Sequence, residues 1–369
     1  MLNKKKVVVA MSGGVDSSVC AYLLKQQGYD VVGMTMQIWQ DMPYETQLRE
    51  GGCCSIGAVY DARRVADKIG IPYYVINLKE SFNEKVIKYF IKEYLCGKTP
   101  NPCIACNKFL KFEDLLKKAL EIDAFYLATG HYAKVEYDGA SKRYVLKKSV
   151  DRDKDQSYAL YNLNQFQLEH TLFPLGYYTK KEIRQIADEI GLAVADKPDS
   201  QEICFVNTNY RDFISENAPG KIEEGPFVDT KGNILGKHKG IPFYTIGQRR
   251  GLGISAGKPL YVVDIDVENN AVILGEEKDL YAKEFLANNI NWVAIEKLNG
   301  KLNVNAKIRY NFEEKPAEIM PFGDEMVKVV FNEPQKAITP GQAVVFYQDD
   351  IVIGGGIIKQ RCDFEKNTL

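Results

Sequence analysis

The chain predicts an α/β N-terminal domain with a parallel sheet, then a small mixed central domain, then a C-terminal β-barrel. Three observations carry this expectation. Short apolar runs alternate with amphipathic segments through the first half, the pattern of strands joined by crossover helices. After about residue 207 the period changes to closely spaced β-type runs. A length of 369 residues also exceeds what one compact core usually holds.

The elements follow in chain order. Residues 6–11, KVVVAM, read as a buried strand, and Asp16 to Gln27 as a helix ended by Gly28. A second apolar strand runs from Asp30 to Met36. A helix follows near Ala58 to Ile69, with Val59, Ala62, Val65, Ala66 and Ile69 on one face, then a strand from Pro72 to Leu78. The helix Phe109 to Leu120 precedes the strand Phe125 to Thr129. Thr179-Lys-Lys-Glu182 reads as a capping box that opens a helix through Ile190, with Gly191 behind it. Further on, YVVDIDVENNAVILG reads as a hairpin turning at Glu268-Asn269-Asn270, and VNAKIRYN, MVKVVFN and QAVVFYQDDIVIGGGIIKQ are strand-like. The expected domains are residues 1–207, 208–282 and 283–369.

Composition narrows the class. With 45% apolar and 26% charged residues, disorder is not the default. The apolar run after MLNKKK stops at Ser12-Gly13-Gly14, too short for a secretory core, and no stretch has membrane-spanning length. A cytoplasmic protein is expected, with no membrane partner, so its eight cysteines read as thiols, metal ligands or redox groups. A net charge of -1 gives no global nucleic-acid signature, so any such partner must be held by local patches. Residues 237–258, with five Lys or Arg and no carboxylate, are either such a patch or a solvated glycine-rich loop.

The most specific motif is Ser12-Gly13-Gly14-Val15-Asp16-Ser17-Ser18, between a buried strand and a helix. Glycines there let the backbone fold around an anion, and the helix N-terminus offers N–H groups and a favourable dipole. Asp16 suits a phosphate that arrives with Mg2+. The spacing matches neither the Walker loop nor the dinucleotide fingerprint. It resembles the PP-loop of ATP pyrophosphatases, which implies cleavage of ATP between its α and β phosphates and adenylation of a substrate oxygen.

Two cysteines complete the chemistry. Cys106 lies at the start of the predicted helix Phe109 to Leu120, where unpaired N–H groups and the dipole favour thiolate. Cys204 stands between a polar loop and an apolar run. An activated carbonyl with two separated thiols suggests sulfur delivery. Cys20, Cys96 and Cys362 read as ordinary residues, and Cys53-Cys54 more as packing than as chemistry.

Taken together, the loop, Asn101-Pro-Cys-Ile-Ala-Cys-Asn-Lys108, Ala128-Thr-Gly-His-Tyr132, Lys154-Asp-Gln-Ser-Tyr158, Ile203-Cys-Phe205, IGQRRGLG (246–253) and TPGQAVVFY (339–347) resemble the tRNA-uridine 2-sulfurtransferase, or 2-thiouridylase, family. The resemblance covers nearly the whole chain. It implies ATP-dependent thiolation of C2 of the wobble uridine in tRNA, with Cys204 receiving a persulfide from a sulfur donor and Cys106 attacking or relaying; the two can form a disulfide. The donor would be a cysteine desulfurase, a sulfur carrier or inorganic sulfide. ATP would be held by Ala10, Met11, Ser12, Gly13, Gly14, Val15, Asp16 and Ser17, with Met36 and Gly130. Asn101, Pro102 and Cys103 would meet the target uridine, and His131, Lys154, Asp155, Gln156, Arg309, Tyr310 and Gln342 would touch tRNA.

Position 103 departs from the commonest family pattern, which has Asp there. Cys103, Cys106 and Cys204 could then hold a 4Fe-4S cluster, as in other thiolases, or act as a thiol and persulfide relay; zinc is less attractive. Two other function classes stand beside these. One is a PP-loop amide-forming ligase for a small molecule. The other is a non-catalytic, metal-stabilised RNA-binding protein with a degenerate nucleotide loop.

Overall fold

The computed structural model describes residues 2–38, 56–198, 203–206 and 209–362. Its first sheet is parallel and contains β1 (Asn3–Ala10), β2 (Asp30–Gln37), β3 (Tyr73–Asn77) and β4 (Ala124–Thr129). A hairpin of β5 (Ala133–Asp138) and β6 (Arg143–Lys148) then leaves the sheet, and β7 (Thr171–Leu172) returns to it, giving the order β3-β2-β1-β4-β7. Side chains alternate across β1, so Val8 enters one core while Val7 and Val9 enter the other. Each such fully buried side chain contributes roughly 1.5–3 kcal/mol. The order of strands reverses between β1 and β4, and open parallel sheets bind ligands at that switch point.

Helices Val15–Gln26, Ile56–Ile69 and Lys180–Glu189 pack on one face through Val19, Ala62, Val65, Ala66, Ile183 and Ala187. The expected capping box is present: Glu182 N–H donates to Thr179 Oγ1 at 3.3 Å, and Thr179 N–H donates to the Glu182 carboxylate at 2.7 Å.

The second sheet has β8 (Gly225–Asp229), β9 (Ile234–His238), β10 (Tyr261–Asp266) and β11 (Ala271–Gly275), in the order β10-β11-β8-β9. The hairpin turns where expected, with Asn270 at φ 47°. The third is the barrel: β12 (Tyr281–Trp292), β13 (Leu302–Lys307), β14 (Lys315–Phe322), β15 (Met326–Lys336), β16 (Ala343–Gln348) and β17 (Ile351–Arg361). It closes because β12 pairs with both β15 and β17. The hairpin β5–β6 extends this sheet through β17, so the barrel and the α/β unit share a core that includes Leu127, Leu146, Tyr158, Val345 and Tyr347.

One helix differs from expectation. It begins at Pro102 rather than Phe109 and continues as Pro102–Ala105, Cys106–Leu115 and Leu116–Glu121, the middle piece wound as a π-helix. Proline at the first helical position and the Asn101 cap account for the earlier start. Among the described residues, no helix is long and apolar enough to cross a membrane.

Candidate active site

The loop after β1 is built around two close approaches. Gly13 has φ 67°, and a Cβ there would stand 2.3 Å from the Ala58 carbonyl oxygen. Gly130, directly after β4, lies so close to the first helix that a Cβ would come within 2.8 Å of the Ser17 nitrogen. The loops from both sides of the switch point therefore meet over the helix N-terminus, where Gly14 supplies no side-chain cap. Ser12 N–H donates to Ser17 Oγ at 3.1 Å, and Ser17 Oγ and Ser18 Oγ donate to the Gly14 carbonyl at 3.1 and 2.8 Å. Open N–H groups, hydroxyls and the helix dipole make this an anion cradle.

The surrounding charges were not evident in the sequence. Both Asp16 oxygens accept from Lys180 Nζ, at 2.7 and 2.8 Å, and Tyr132 Oη donates to Oδ1 at 2.7 Å. Lys197 Nζ donates to the Gly13 carbonyl at 3.2 Å and to Asp61 at 2.8 Å. The Asp16 charge is thus balanced by Lys180. Met36 is buried at the end of β2, and Met11 N–H is tied to the Met34 carbonyl at 2.8 Å.

The thiols stand on the same unit. Asn101 Oδ1 accepts from Cys103 N–H at 3.0 Å and Ile104 N–H at 3.4 Å. Cys103 is exposed in the first turn, whereas Cys106 is half-buried one turn in, its N–H already paired to Pro102 and Cys103 carbonyls. Cys106 therefore sits inside the helix and not, as expected, at its start, where Cys103 stands. Cys204 is exposed in a turn closed by Val206 N–H on Ile203 O at 3.0 Å. Its neighbour Phe205 packs against Phe82, Phe90 and Phe213 at 5.6, 5.3 and 5.2 Å. Phe205 and Cys106 border one apolar cluster.

The cluster expectation finds no support in this arrangement. Among the described residues, no three His, Cys, Asp or Glu are gathered as a metal site, so Cys103, Cys106 and Cys204 do not form the donor set a 4Fe-4S group needs. Cys20 lies fully buried in the first helix, and burial pushes its thiol far up, which suits a packing role. Cys53-Cys54 lie outside the described residues.

Several expected RNA contacts face inward. His131 is buried between Phe112 and Phe173. Its Nε2 faces the Lys111 ammonium at 3.4 Å and must accept, so Nδ1–H points to Thr129 Oγ1 at 2.5 Å. Burial, then Lys111, holds its pKa well below the usual value. Gln156 Oε1 accepts from Tyr132 N–H at 3.0 Å. Asp155 accepts from Ser149 N–H at 3.0 Å and Ser157 Oγ at 2.6 Å, and burial raises its pKa. Arg309 donates to Thr339 Oγ1 at 2.6 Å and to the Ala337 carbonyl. Gln342 donates to the Thr99 carbonyl at 2.6 Å. Lys154 is half-buried, and Tyr310 is exposed beside Tyr158. Partial burial, and then the charges of Asp155 and Cys103, raise the pKa of the Tyr310 phenol.

Fold and site together define a PP-loop nucleotide enzyme with thiols on its α/β unit and a barrel behind them. Family models agree in outline: a tRNA methyl transferase HUP domain matches residues 5–208, a tRNA methyl transferase PRC-barrel domain 211–276, and an aminomethyltransferase beta-barrel domain 282–358. The chain is 62% identical over 362 residues to tRNA-specific 2-thiouridylase MnmA 1 of Thermoanaerobacter pseudethanolicus, covering 98% of this chain and 100% of that protein. It is 60% identical over 361 residues to the enzyme of that name, MnmA, from Clostridioides difficile, covering 98% and 99%. The chain belongs to the tRNA-specific 2-thiouridylase family.

Proposed function

We propose that this protein thiolates C2 of the wobble uridine in tRNA at the expense of ATP. The observation that supports it best is the uncapped glycine cradle at the switch point, on the α/β unit that also carries Cys106 and Cys204. ATP bound at residues 10–17, beside Met36 and Gly130, adenylates the uridine O2 and releases pyrophosphate. The carbon then has AMP as leaving group instead of oxide.

Sulfur arrives as a persulfide on Cys204: the Cys204 thiolate takes the outer, sulfane sulfur from a persulfide on a desulfurase or carrier protein, and the donor's thiolate leaves. Its terminal sulfur attacks C2 and expels AMP, leaving a disulfide between Cys204 and the base. The Cys106 thiolate attacks Cys204 Sγ, which forms a Cys106–Cys204 disulfide and releases the 2-thiouridine; an external thiol reduces the pair. Asn101, Pro102 and Cys103 border the base, and Lys154 and Tyr310 face RNA. Mg2+ enters with the ATP phosphates rather than through Asp16 alone. Unpaired anticodon bases are read by splaying and stacking, which suits an exposed tyrosine.

The test is tRNA-dependent release of pyrophosphate together with a thionucleoside in digested product. Cys106→Ser should retain pyrophosphate release and lose the thionucleoside. Pyrophosphate release that needs a small molecule and ignores tRNA would sink the reading.

A further inference from the structure

The barrel grips the cysteine helix at its root. Thr99 N–H donates to the Pro340 carbonyl at 2.9 Å, and Gln342 Nε2 donates to the Thr99 carbonyl at 2.6 Å, so both backbone groups of Thr99 are held by one turn. Between them Gly341, at φ 89°, lies so close that a Cβ would stand 2.9 Å from the Thr99 nitrogen. The turn is itself rooted: Gly341 N–H donates to Ile358 O at 2.9 Å, Ile358 N–H to Gln342 O at 2.9 Å, and Arg309 holds Thr339.

The connection from Thr99 to the thiols has little slack. Pro100 and Pro102 fix their own φ and keep Thr99 and Asn101 out of the helical region. Asn101 then caps the helix through Cys103 N–H. A second contact closes the grip from the other side. Tyr158 Oη donates to Ala343 O at 2.8 Å, and the next residue, Ala159, accepts from Asn107 Nδ2 at 3.1 Å.

We propose that Gln342 is a positioning residue for thiolation: acting through Thr99, it sets the placement of the helix carrying Cys103 and Cys106. The barrel is thereby a structural part of the thiol site, apart from any RNA it holds. The proposal rests on the reading of Cys106 as a reacting thiol. Cys106→Ser that still thiolates would remove that reading, while the alkylation arm below reads geometry without it.

Gln342→Met keeps length and removes the donor. Iodoacetamide labelling of the full-length protein without RNA, followed by peptide mass spectrometry, should show the rates at Cys103 and Cys106 shifted about fivefold, the factor for one net hydrogen bond. Buried Cys20 should stay unlabelled, the kcat for thiolation should fall, and the KM for tRNA should move less. Gly341→Ala, which pushes Thr99 instead of releasing it, should also shift both thiols. Unchanged labelling with a raised KM would make Gln342 an RNA contact only. Labelling of Cys20 together with Cys106 would mean general loosening, and shifted labelling with unchanged kcat would remove the role in thiolation; each outcome overturns the proposal.

Discussion

Lys180 Nζ lies 2.7 Å and 2.8 Å from the two carboxylate oxygens of Asp16, so a helix far along the chain is tied to the first turn behind the nucleotide loop. The lysine side chain is 11% exposed and the aspartate 29%, which places the pair between the surface and buried cases. Breaking an exposed pair costs up to ~1 kcal/mol and a buried one ~3–5, so about 2 kcal/mol is expected here. Lys180→Met should lower the kcat for tRNA-dependent pyrophosphate release by about 10- to 30-fold, with the KM for tRNA unchanged. An unaltered kcat in steady-state assays would make the pair a matter of stability alone.

Gly130 tests the meeting of the two loops. A methyl there would press on the Asp16 and Ser17 backbone at 2.8 Å, and backbone cannot yield as a flexible side chain can. Overpacking of this kind costs about 1–3 kcal/mol. Gly130→Ala should weaken ATP binding by roughly tenfold or more in calorimetric titration. Gly139→Ala, where nothing lies within 4 Å of the added Cβ, is the control and should bind ATP as the parent does.

Lys307 places a cation beside Tyr310 that the motifs did not suggest, and its role toward RNA can be tested. Its Nζ lies over the rings of Tyr158 and Tyr310 at 5.9 and 5.8 Å, and burial lowers its pKa against the pull of Asp155 and Glu314. Arg309, by contrast, is turned to Thr339 and Ala337. A phosphate next to a base stacked on Tyr310 would meet Lys307. Lys307→Met should weaken tRNA binding and lower the slope of log K against log salt by about 0.7–0.9, one phosphate contact. Weaker binding at an unchanged slope would show that the variant acts through packing of the tyrosines.

Iron should be dispensable. Cys103 and Cys106 follow one another on a single helix, and with Cys204 they do not assemble a donor set among the described residues. Protein treated with a chelator, with iron and acid-labile sulfide measured as absent, should thiolate tRNA when supplied with a persulfide donor. Activity that disappears with iron and returns on anaerobic reconstitution would reverse this conclusion.

What the sequence made legible was local. Gly13 could be read because the turn demands its backbone freedom, and the strand cores because Val7, Val8 and Val9 alternate between two buried faces. The start of the cysteine helix was misplaced because Asn-Pro signals both a turn and a capped helix start, and only the Asn101 hydrogen bonds separate the two. Lys180 with Asp16, and Gln342 with Thr99, are pairs 164 and 243 residues apart. No periodicity or capping rule joins such positions. The docking of β5–β6 onto the barrel through β17 was hidden for the same reason.

Two histidines give the fold a calculable acid sensitivity. His131 and His238 are both buried, and in each case burial holds the pKa below the usual value, with Lys111 adding to the effect at His131. Gly240 N–H donates to His238 Nδ1 at 3.0 Å, and Nε2–H points to Asn270 O at 3.0 Å, an arrangement that requires the neutral ring. Above pH ~6.5 both rings are neutral folded or unfolded, and they contribute no pH dependence. As the pH falls below that value the unfolded chain takes up protons that the native rings refuse, so stability drops. His131 sets a slope approaching ~1.4 kcal/mol per pH unit, and His238 adds to it until its own lowered pKa is reached. Asp155, with its raised pKa, works in the opposite sense as it protonates. Urea unfolding at pH 7.5 and 5.5 should show the loss, and His238→Gln, which does not titrate, should flatten part of it. A stability that is level between these two pH values would contradict the assignment of neutral buried rings.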